Sequence, residues 1–320
     1  QSSDTHTLTG RYIHNDFEKP NMDNSHISRH GIHAQSYNLV SGGRNGLLSL
    51  RSQFSPNLRN DLKLGYYWNR RANVSTNGRV PNTWVEFTSE VNGRQEQARV
   101  SIRGYEWVPE DQRSETVSLV NNTYYSTDWA DFTVGTENTF VEASGLWTHG
   151  QQGRFTFNSI EALENMNPTR FERRVATEGR QLTDPVKTRH LELSAYAQAE
   201  MDLTPRLEGL FGLRYDVAYF MTSPKYNPVL EQELGLRNDT NPTDWDNIQP
   251  RVDLTWDITG DGRNILQGGA GFFQGQTMTR PYAQSVVFDG LRFYEVQATG
   301  DDVPTPDYDA YEEDFTNMPG

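Results

Sequence analysis

Residues 190–219 carry a nearly strict alternation of apolar and polar side chains, interrupted by one tight turn. Apolar residues dominate the odd positions from Leu191 to Leu203 and, after the turn at Thr204–Arg206, from Leu207 to Tyr219. Because successive strand residues point to opposite faces, this hairpin has one apolar and one polar face. Its strands exceed the ~5–6 residues usual in soluble sheets and reach the roughly 9–11 that cross a bilayer. We therefore predict a membrane hairpin, with lipid on one side and a watery lumen on the other.

The composition of the 320-residue chain excludes several classes of protein. Mean hydropathy is −0.78, and no window approaches the ~18 consecutive apolar residues that a membrane-spanning helix needs. A β-barrel passes this test because only every second residue of a strand meets lipid. The net charge of −14 disfavours nucleic acid as a partner, since nucleic acid is bound by basic surfaces.

Short and long connections alternate between the predicted strands. The short ones, at 55–60, 127–130, 204–206 and 259–262, carry Pro, Gly, Asn or Asp in turn positions. The long ones run roughly over 71–81, 149–189, 220–249 and 275–320. Outer-membrane barrels have short periplasmic turns and long extracellular loops, so the pattern favours such a barrel. A hairpin around Asn92-Gly93 fits either a wall or a loop, and one short helix is expected at 159–165 inside a long loop.

Two segments resemble one known family. AYAQAEMDLTPRLEGLFGLRYDV (195–217) resembles the late-barrel signature of TonB-dependent outer-membrane receptors, and NIQPRVDLTWDITGDGRNILQGGAGFF (247–273) resembles the next hairpin. Segments 121–140 and 153–163, which precede them in the chain, also lie in the expected order, and the matches span residues 44–297. The pattern is most similar to the Oar-like branch, whose members usually carry a carboxypeptidase-regulatory-like domain ahead of the plug.

The resemblance implies an all-β fold: a partial antiparallel transmembrane barrel that belongs to a larger one. The family's plug domain, TonB box and terminal aromatic strand have no counterpart in this sequence, and residue 1 is glutamine, so we expect a segment of a longer chain. Residues 1–298 are expected to form the barrel segment with its extracellular loops. Residues 299–320 are expected to form an acidic extracellular loop.

Each strand face receives an assignment under this interpretation. The residues expected to face lipid are Leu191, Leu193, Phe211, Leu213 and Tyr215. The residues expected to face the lumen are Arg206, Arg214, Asp216, Arg251 and Asp253. Their charges could hold a plug through Arg–carboxylate bonds or simply line a wet wall, and the sequence leaves both open.

Two clusters offer metal ligands. His26, His30 and His33 could bind a transition metal, or they are solvated loop histidines. Asp301, Asp302, Asp307 and Asp309 could bind calcium, or they are an exposed acidic run. We expect no cofactor, with calcium in the acidic loop as the alternative. The chain has no cysteine, no G-x-S-x-G and no H-E-x-x-H motif, so we expect no enzyme.

The resemblance implies a receptor in the outer membrane of a Gram-negative bacterium that imports a large or scarce solute. Family members draw energy from the TonB–ExbB–ExbD complex through the plug, and the Oar-like branch favours a peptidic ligand. Loops 149–189, 220–249 and 275–320 would then form part of the ligand-facing surface, and outer-membrane lipid would surround the wall. The alternatives are a passive porin-like or structural barrel, and a secreted all-β domain that binds or hydrolyses glycans.

Overall fold

The computed structural model describes residues 5–21, 30–31, 37–75, 80–104, 110–147, 149–177, 185–241, 243–275, 277 and 279–320. The strands in chain order are β1 (His6–Asn21), β2 (His30–Gly31), β3 (Tyr37–Ser55), β4 (Leu58–Ser75), β5 (Asn82–Val91), β6 (Arg94–Ile102), β7 (Glu110–Ser126), β8 (Asp131–Trp147), β9 (Arg154–Phe157), β10 (Arg170–Ala176), β11 (Val186–Thr204), β12 (Leu207–Phe220), β13 (Asp244–Asp257), β14 (Ile265–Gly271) and β15 (Phe293–Thr299). The α-helices are α1 (Ile160–Glu164), α2 (Pro228–Leu234), α3 (Thr279–Val287) and α4 (Tyr308–Glu313). Within these ranges, every helix is too short or too polar to cross a bilayer.

Nine strands form one antiparallel sheet, which we call the wall. Their order is β1-β3-β4-β7-β8-β11-β12-β13-β14, so each strand lies beside the next wall strand in the chain. All except β14 contain at least 14 residues. They are longer than the roughly 9–11 residues that cross a bilayer and therefore extend beyond it. Among the described strands, β1 and β14 are paired on one side only, and the sheet is an open part of a barrel.

The register of the wall keeps two faces separate across neighbouring strands. Ala197 lies opposite Val134 on one side and Leu213 on the other. One residue along, Tyr196 lies opposite Arg214. A slip of one residue would exchange the two faces, so the alternation itself fixes the register. We call the side that carries Leu213 the apolar face and the side that carries Arg214 the polar face.

The short turns of the wall all lie at one end, as predicted. They occupy residues 56–57, 127–130, 205–206 and 258–264. In the last of these, the Asp257 carboxylate accepts the N–H groups of Gly260 and Gly262 at 2.8 Å each, and Gly260 has a φ of 74°. This local bonding closes the turn.

The long connections at the other end fold into a second, six-stranded sheet, which we call the cap sheet. Its order is β15-β10-β9-β5-β6-β2, with parallel pairing of β5 with β9 and of β2 with β6. The hairpin around Asn92-Gly93 is β5–β6, and it therefore belongs to a loop and not to the wall. The predicted short helix is α1, whose N-cap Ser159 accepts the N–H of Ala162.

The cap sheet has its own hydrophobic core. Phe155, Phe157 and Phe171 are completely or almost completely buried, and Tyr308 and Tyr311 of α4 pack against Phe155. Burial of each large side chain contributes roughly 1.5–3 kcal/mol. The cap is therefore a packed unit that positions its loop residues, rather than a set of separate loops.

Helix α3 connects the cap to the polar face of the wall. Ala283 and Val287 pack against Val186 of β11. The Tyr282 hydroxyl accepts the backbone N–H of Thr222 at 2.8 Å, and its ring lies against that of Phe220, with 4.5 Å between centroids. The long-loop end of the polar face is thus covered by residues that follow β14.

Candidate functional site

The structure brings the three loops predicted to face a ligand into contact with one another. Strand β10 of loop 149–189 pairs with β15 of loop 275–320 along seven residues. Asn227 Nδ2, in loop 220–249, donates to the carbonyl of Asp289 at 3.1 Å. Strands β5 and β6, which no prediction assigned to this surface, complete it through the pairing of β5 with β9. The result is one continuous surface at the long-loop end of the wall.

Tyr308 ties α4 to the centre of the cap. Its hydroxyl oxygen lies 2.7 Å from Oγ1 of Thr83, which is fully buried. Burial raises the pKa of Tyr308 to about 12, so the phenol keeps its proton and remains available for this hydrogen bond. The acidic segment that contains α4 is thereby held against the sheet.

A cavity of about 280 Å³ opens beside β9 and β10, and we call it the cap cavity. Its lining residues are His149, Gly150, Gly153, Arg154, Glu172, Arg173, Arg174, Glu295 and Gln297. Three guanidinium groups and two carboxylates therefore face one small space. Such groups bind charged partners directionally, because a guanidinium presents a rigid fork of N–H donors.

The arginines of the cap cavity are each fixed by neighbours. Arg154 forms an ion pair with Glu172 and lies over the ring of Trp84, 3.8 Å from its centroid. Arg174 Nε donates to Glu295 at 2.9 Å. Arg173 Nη1 donates to the carbonyls of Met318 and Pro319 at 2.7 and 2.9 Å, and burial lowers the pKa of its guanidinium. The cavity is therefore preorganised before any ligand enters it.

One edge of the cap cavity is formed by the turn His-Gly-Gln-Gln-Gly at 149–153. Gly150 and Gly153 have φ angles of 81° and 74°, which side-chain-bearing residues rarely adopt. The carbonyl of Gly150 accepts from the backbone N–H of Arg174 at 3.0 Å. His149 is half-buried, and burial together with the positive charges of Arg174 and Arg280 lowers its pKa to about 4. The imidazole is thus neutral at pH 7.

A second cavity, of about 260 Å³, lies on the polar face of the wall. Arg214 Nε donates to Asp216 at 2.8 Å, and Arg214 Nη1 lies 3.4 Å from Glu137. Glu192 and Gln274 also line the space. Two residues predicted to face the lumen, Arg214 and Asp216, thus meet in one polar cluster.

The other predicted lumen residues lie apart from that cavity. Arg251 donates to Gln198 of β11, and Asp253 accepts from Gln267 of β14 at 3.1 Å. Arg206 lies in the turn between β11 and β12, at the short-turn end. These contacts pair polar groups across neighbouring strands of the wall.

The residues predicted to face lipid lie on the opposite face. Leu193, Phe211, Leu213 and Tyr215 are 41, 41, 54 and 38% exposed, and Leu191 is half-buried. Their contact with lipid stays a prediction, and their exposure in this chain is compatible with it.

The predicted metal clusters have two outcomes. His26 and His33 lie outside the described residues, and only the backbone of His30 is described. The carboxylate of Asp307 accepts the N–H of Ala310 as the N-cap of α4. Asp301, Asp302 and Asp309 are exposed. Across the described ranges, no three His, Asp or Glu side chains approach closely enough to hold a metal ion.

Sequence reasoning missed the cap cavity. Two of its three arginines, Arg173 and Arg174, come from the segment Arg-Phe-Glu-Arg-Arg (170–174), whose density of charge around one phenylalanine was the available signal. Arg154 comes from β9, and the remaining lining residues come from β15 and from the 149–153 turn. This non-local pairing is not visible in a single segment.

Comparisons with known proteins agree with this architecture. A family model described as an outer membrane beta barrel domain matches residues 1–317, and the chain belongs to this family. The outer membrane transporter YddB from Escherichia coli has a similar fold, with a TM-score of 0.51 and 12% sequence identity. The match covers 83% of this chain and 29% of the transporter, so the chain spans less than a third of that protein. A search of curated proteins found no match. The wall is accordingly part of a transmembrane β-barrel in the outer membrane.

Proposed function

We propose that this member of the outer membrane beta barrel domain family is a segment of an import receptor. The receptor would take up a large or scarce solute, with a peptide favoured, using energy from the TonB–ExbB–ExbD complex. The observation that carries the proposal is the cap. Several long loops of one barrel end form a single packed surface with a preorganised polar cavity, which is what ligand capture requires and what a passive pore does not need.

The finer parts of the proposal have separate support. The similarity of this fold to that of an outer membrane transporter supports transport as the role of the barrel. Coupling to TonB and membership of the Oar-like branch are supported by the motifs at 195–217 and 247–273. We propose that the chain carries out no catalysis, and that its role is to present loops on a rigid wall.

Outer-membrane lipid is the proposed surrounding of the apolar face. The exposed side chains Leu213, Val134 and Ile248, on three different wall strands, support it, because water is a poor neighbour for so much apolar surface. The TonB complex would act through a plug, for which Arg214 and Arg251 of the polar face are candidate contacts.

The proposal is tested in the bacterium that carries the gene, grown on a peptide digest as its only source of amino acids. Deletion of the whole gene and deletion of TonB should slow growth to the same extent, and the double deletion should add no further defect. A passive barrel would continue to support growth without TonB. That result would contradict the proposed import mechanism while leaving the outer-membrane location intact.

A further inference from the structure

The cap cavity has a positive charge balance although the chain as a whole is acidic. Three arginines and two glutamates line it, in a chain of net charge −14. Arg170, just outside the lining, also binds Glu172 at 2.5 Å, so Glu172 is shared between Arg170 and Arg154. The carboxylates of the cavity therefore do not neutralise its guanidinium groups.

His149 and Arg173 also line the cavity. His149 is neutral at pH 7, because burial and the two arginines near it lower its pKa to about 4, so it does not change the charge balance. Arg173 is committed to the backbone of 318–319 and to the carbonyl of Gln151, 3.1 Å from its Nε. Arg154 and Arg174 also line the cavity, and each is paired with a glutamate side chain, Glu172 and Glu295 respectively. These two are the candidate ligand-binding arginines.

Arg174 retains donors that its described partner does not use. A guanidinium carries five N–H groups, and Glu295 binds the one at Nε. The ring of Phe293 lies beneath the group, 4.9 Å from centroid to Cζ, and keeps its plane oriented. A planar anion with two oxygens matches this fork, because both oxygens can accept at once.

A second, independent observation comes from the turn at 149–153, where two buried polar atoms lack a hydrogen-bond partner among the described residues. Gln151 and Gln152 are 7 and 2% exposed, and Nε2 of Gln151 and Oε1 of Gln152 have no hydrogen-bond partner among the residues that the structure describes. Native proteins keep few such atoms, and those that persist are often found at functional sites. One amide thus has a donor and the other an acceptor without a described partner, in the turn whose Gly150 and Gly153 line the cavity.

We propose that the cap cavity binds a solute through a single carboxylate, held by Arg154 and Arg174. A monoanion fits the small positive excess better than a phosphate dianion does, and a volume of about 280 Å³ admits a small acid or the end of a peptide. The proposal deepens the function proposed above, on which its biological meaning rests. The shared chemistry is the carboxylate, and its source is either the C-terminus of a peptide or a small organic acid.

The test uses the purified full-length protein in detergent and needs no transport. The probes are fluorescein-labelled tetra-alanine with a free C-terminus and the same peptide as its C-terminal amide, followed by fluorescence anisotropy. The free acid should bind at least tenfold more tightly than the amide. Competition with unlabelled succinate then assigns the source: displacement indicates small acids as well, and its absence indicates peptides.

Two matched variants separate binding from folding. Arg154 and Arg99 lie over the same ring of Trp84, at 3.8 and 4.0 Å, and each forms an ion pair with a glutamate. Only Arg154 lines the cap cavity, however. Arg154→Gln should weaken binding of the free acid at least tenfold, and Arg99→Gln should leave it within twofold.

Equal binding of acid and amide, no binding of the free acid at millimolar concentration, or equal effects of the two variants would overturn the proposal. Because binding is measured in detergent, these results do not depend on TonB. A failure of energy-dependent growth in the earlier experiment would instead count against import alone.

Discussion

Leu213→Arg is the substitution that probes the apolar face most sharply. Leu213 is the seventh residue of the 14-residue strand β12, is 54% exposed, and lies between Ala197 and Pro250. If lipid covers this face, the guanidinium would lie near the middle of the hydrocarbon. The cost of an arginine there is about 2–4 kcal/mol. The folded fraction relative to the unfolded should therefore fall about 30- to 700-fold.

Leu210→Arg is the matched control because it makes the same chemical change on the same strand. Leu210 lies opposite Glu200 on one side and Asp253 on the other, on the polar face. A guanidinium there meets two carboxylates and water, so we expect less than 1 kcal/mol of change.

The assay is urea-dependent folding of the full-length protein into phosphatidylcholine vesicles, followed by tryptophan fluorescence and by heat-modifiable migration in gels. The expected result is a lowered midpoint for Leu213→Arg alone. Equal losses for the two variants, or a larger loss for Leu210→Arg, would refute the assignment of the faces.

Three further outcomes follow from the cap. Phe171→Ala removes a fully buried ring, tilted against that of Phe155 with 4.7 Å between centroids, and should cost about 3–5 kcal/mol. Limited proteolysis should therefore cut the cap while the wall stays intact, and an uncut cap would contradict the described core. Tyr308→Phe leaves the buried Thr83 hydroxyl without its 2.7 Å partner and should lower the stability of the cap by about 1–3 kcal/mol. Protease resistance equal to that of the wild type would argue against this hydrogen bond. The pKa of His149 is about 4 when folded and about 6.5 when unfolded, so the unfolded cap binds a proton first. The free energy of unfolding of the cap should therefore be greatest above pH 6.5 and fall by up to about 3 kcal/mol toward pH 4. His149→Gln should flatten the resulting dependence of protease resistance on pH. An unchanged slope in this variant would contradict the burial of His149.

The wall could be predicted from the sequence because its determinants are local. Alternation from Leu191 to Tyr219 identifies the faces, and the turn at 204–206 sets the register of β11 and β12. Each wall strand pairs with the next wall strand in the chain, so no distant partner had to be found. The strands nevertheless run several residues further into the long connections than their apolar stretches do.

The cap could not be predicted, because its pairs join distant segments. Strand β5 pairs with β9 about 70 residues later, and β10 pairs with β15 about 120 residues later. The hairpin β5–β6 alternates apolar and polar residues as a wall hairpin does. Its place in the cap is set by the pairing of β5 with the distant strand β9. The same reason hid Arg154 and Arg174: single arginines in a loop are usually solvated, and only the fold brings them to one cavity.

The most direct test of the account measures what touches the two faces of β12. Residues 1–320 contain no cysteine, so single cysteines introduced at positions 210–215 of the full-length protein can each carry a spin label. In vesicles, labels at odd positions should collide mainly with oxygen dissolved in lipid, and labels at even positions mainly with a water-soluble nickel chelate. An accessibility profile without a two-residue period, or with the even positions in lipid, would contradict the central claim that hydrocarbon covers the apolar face.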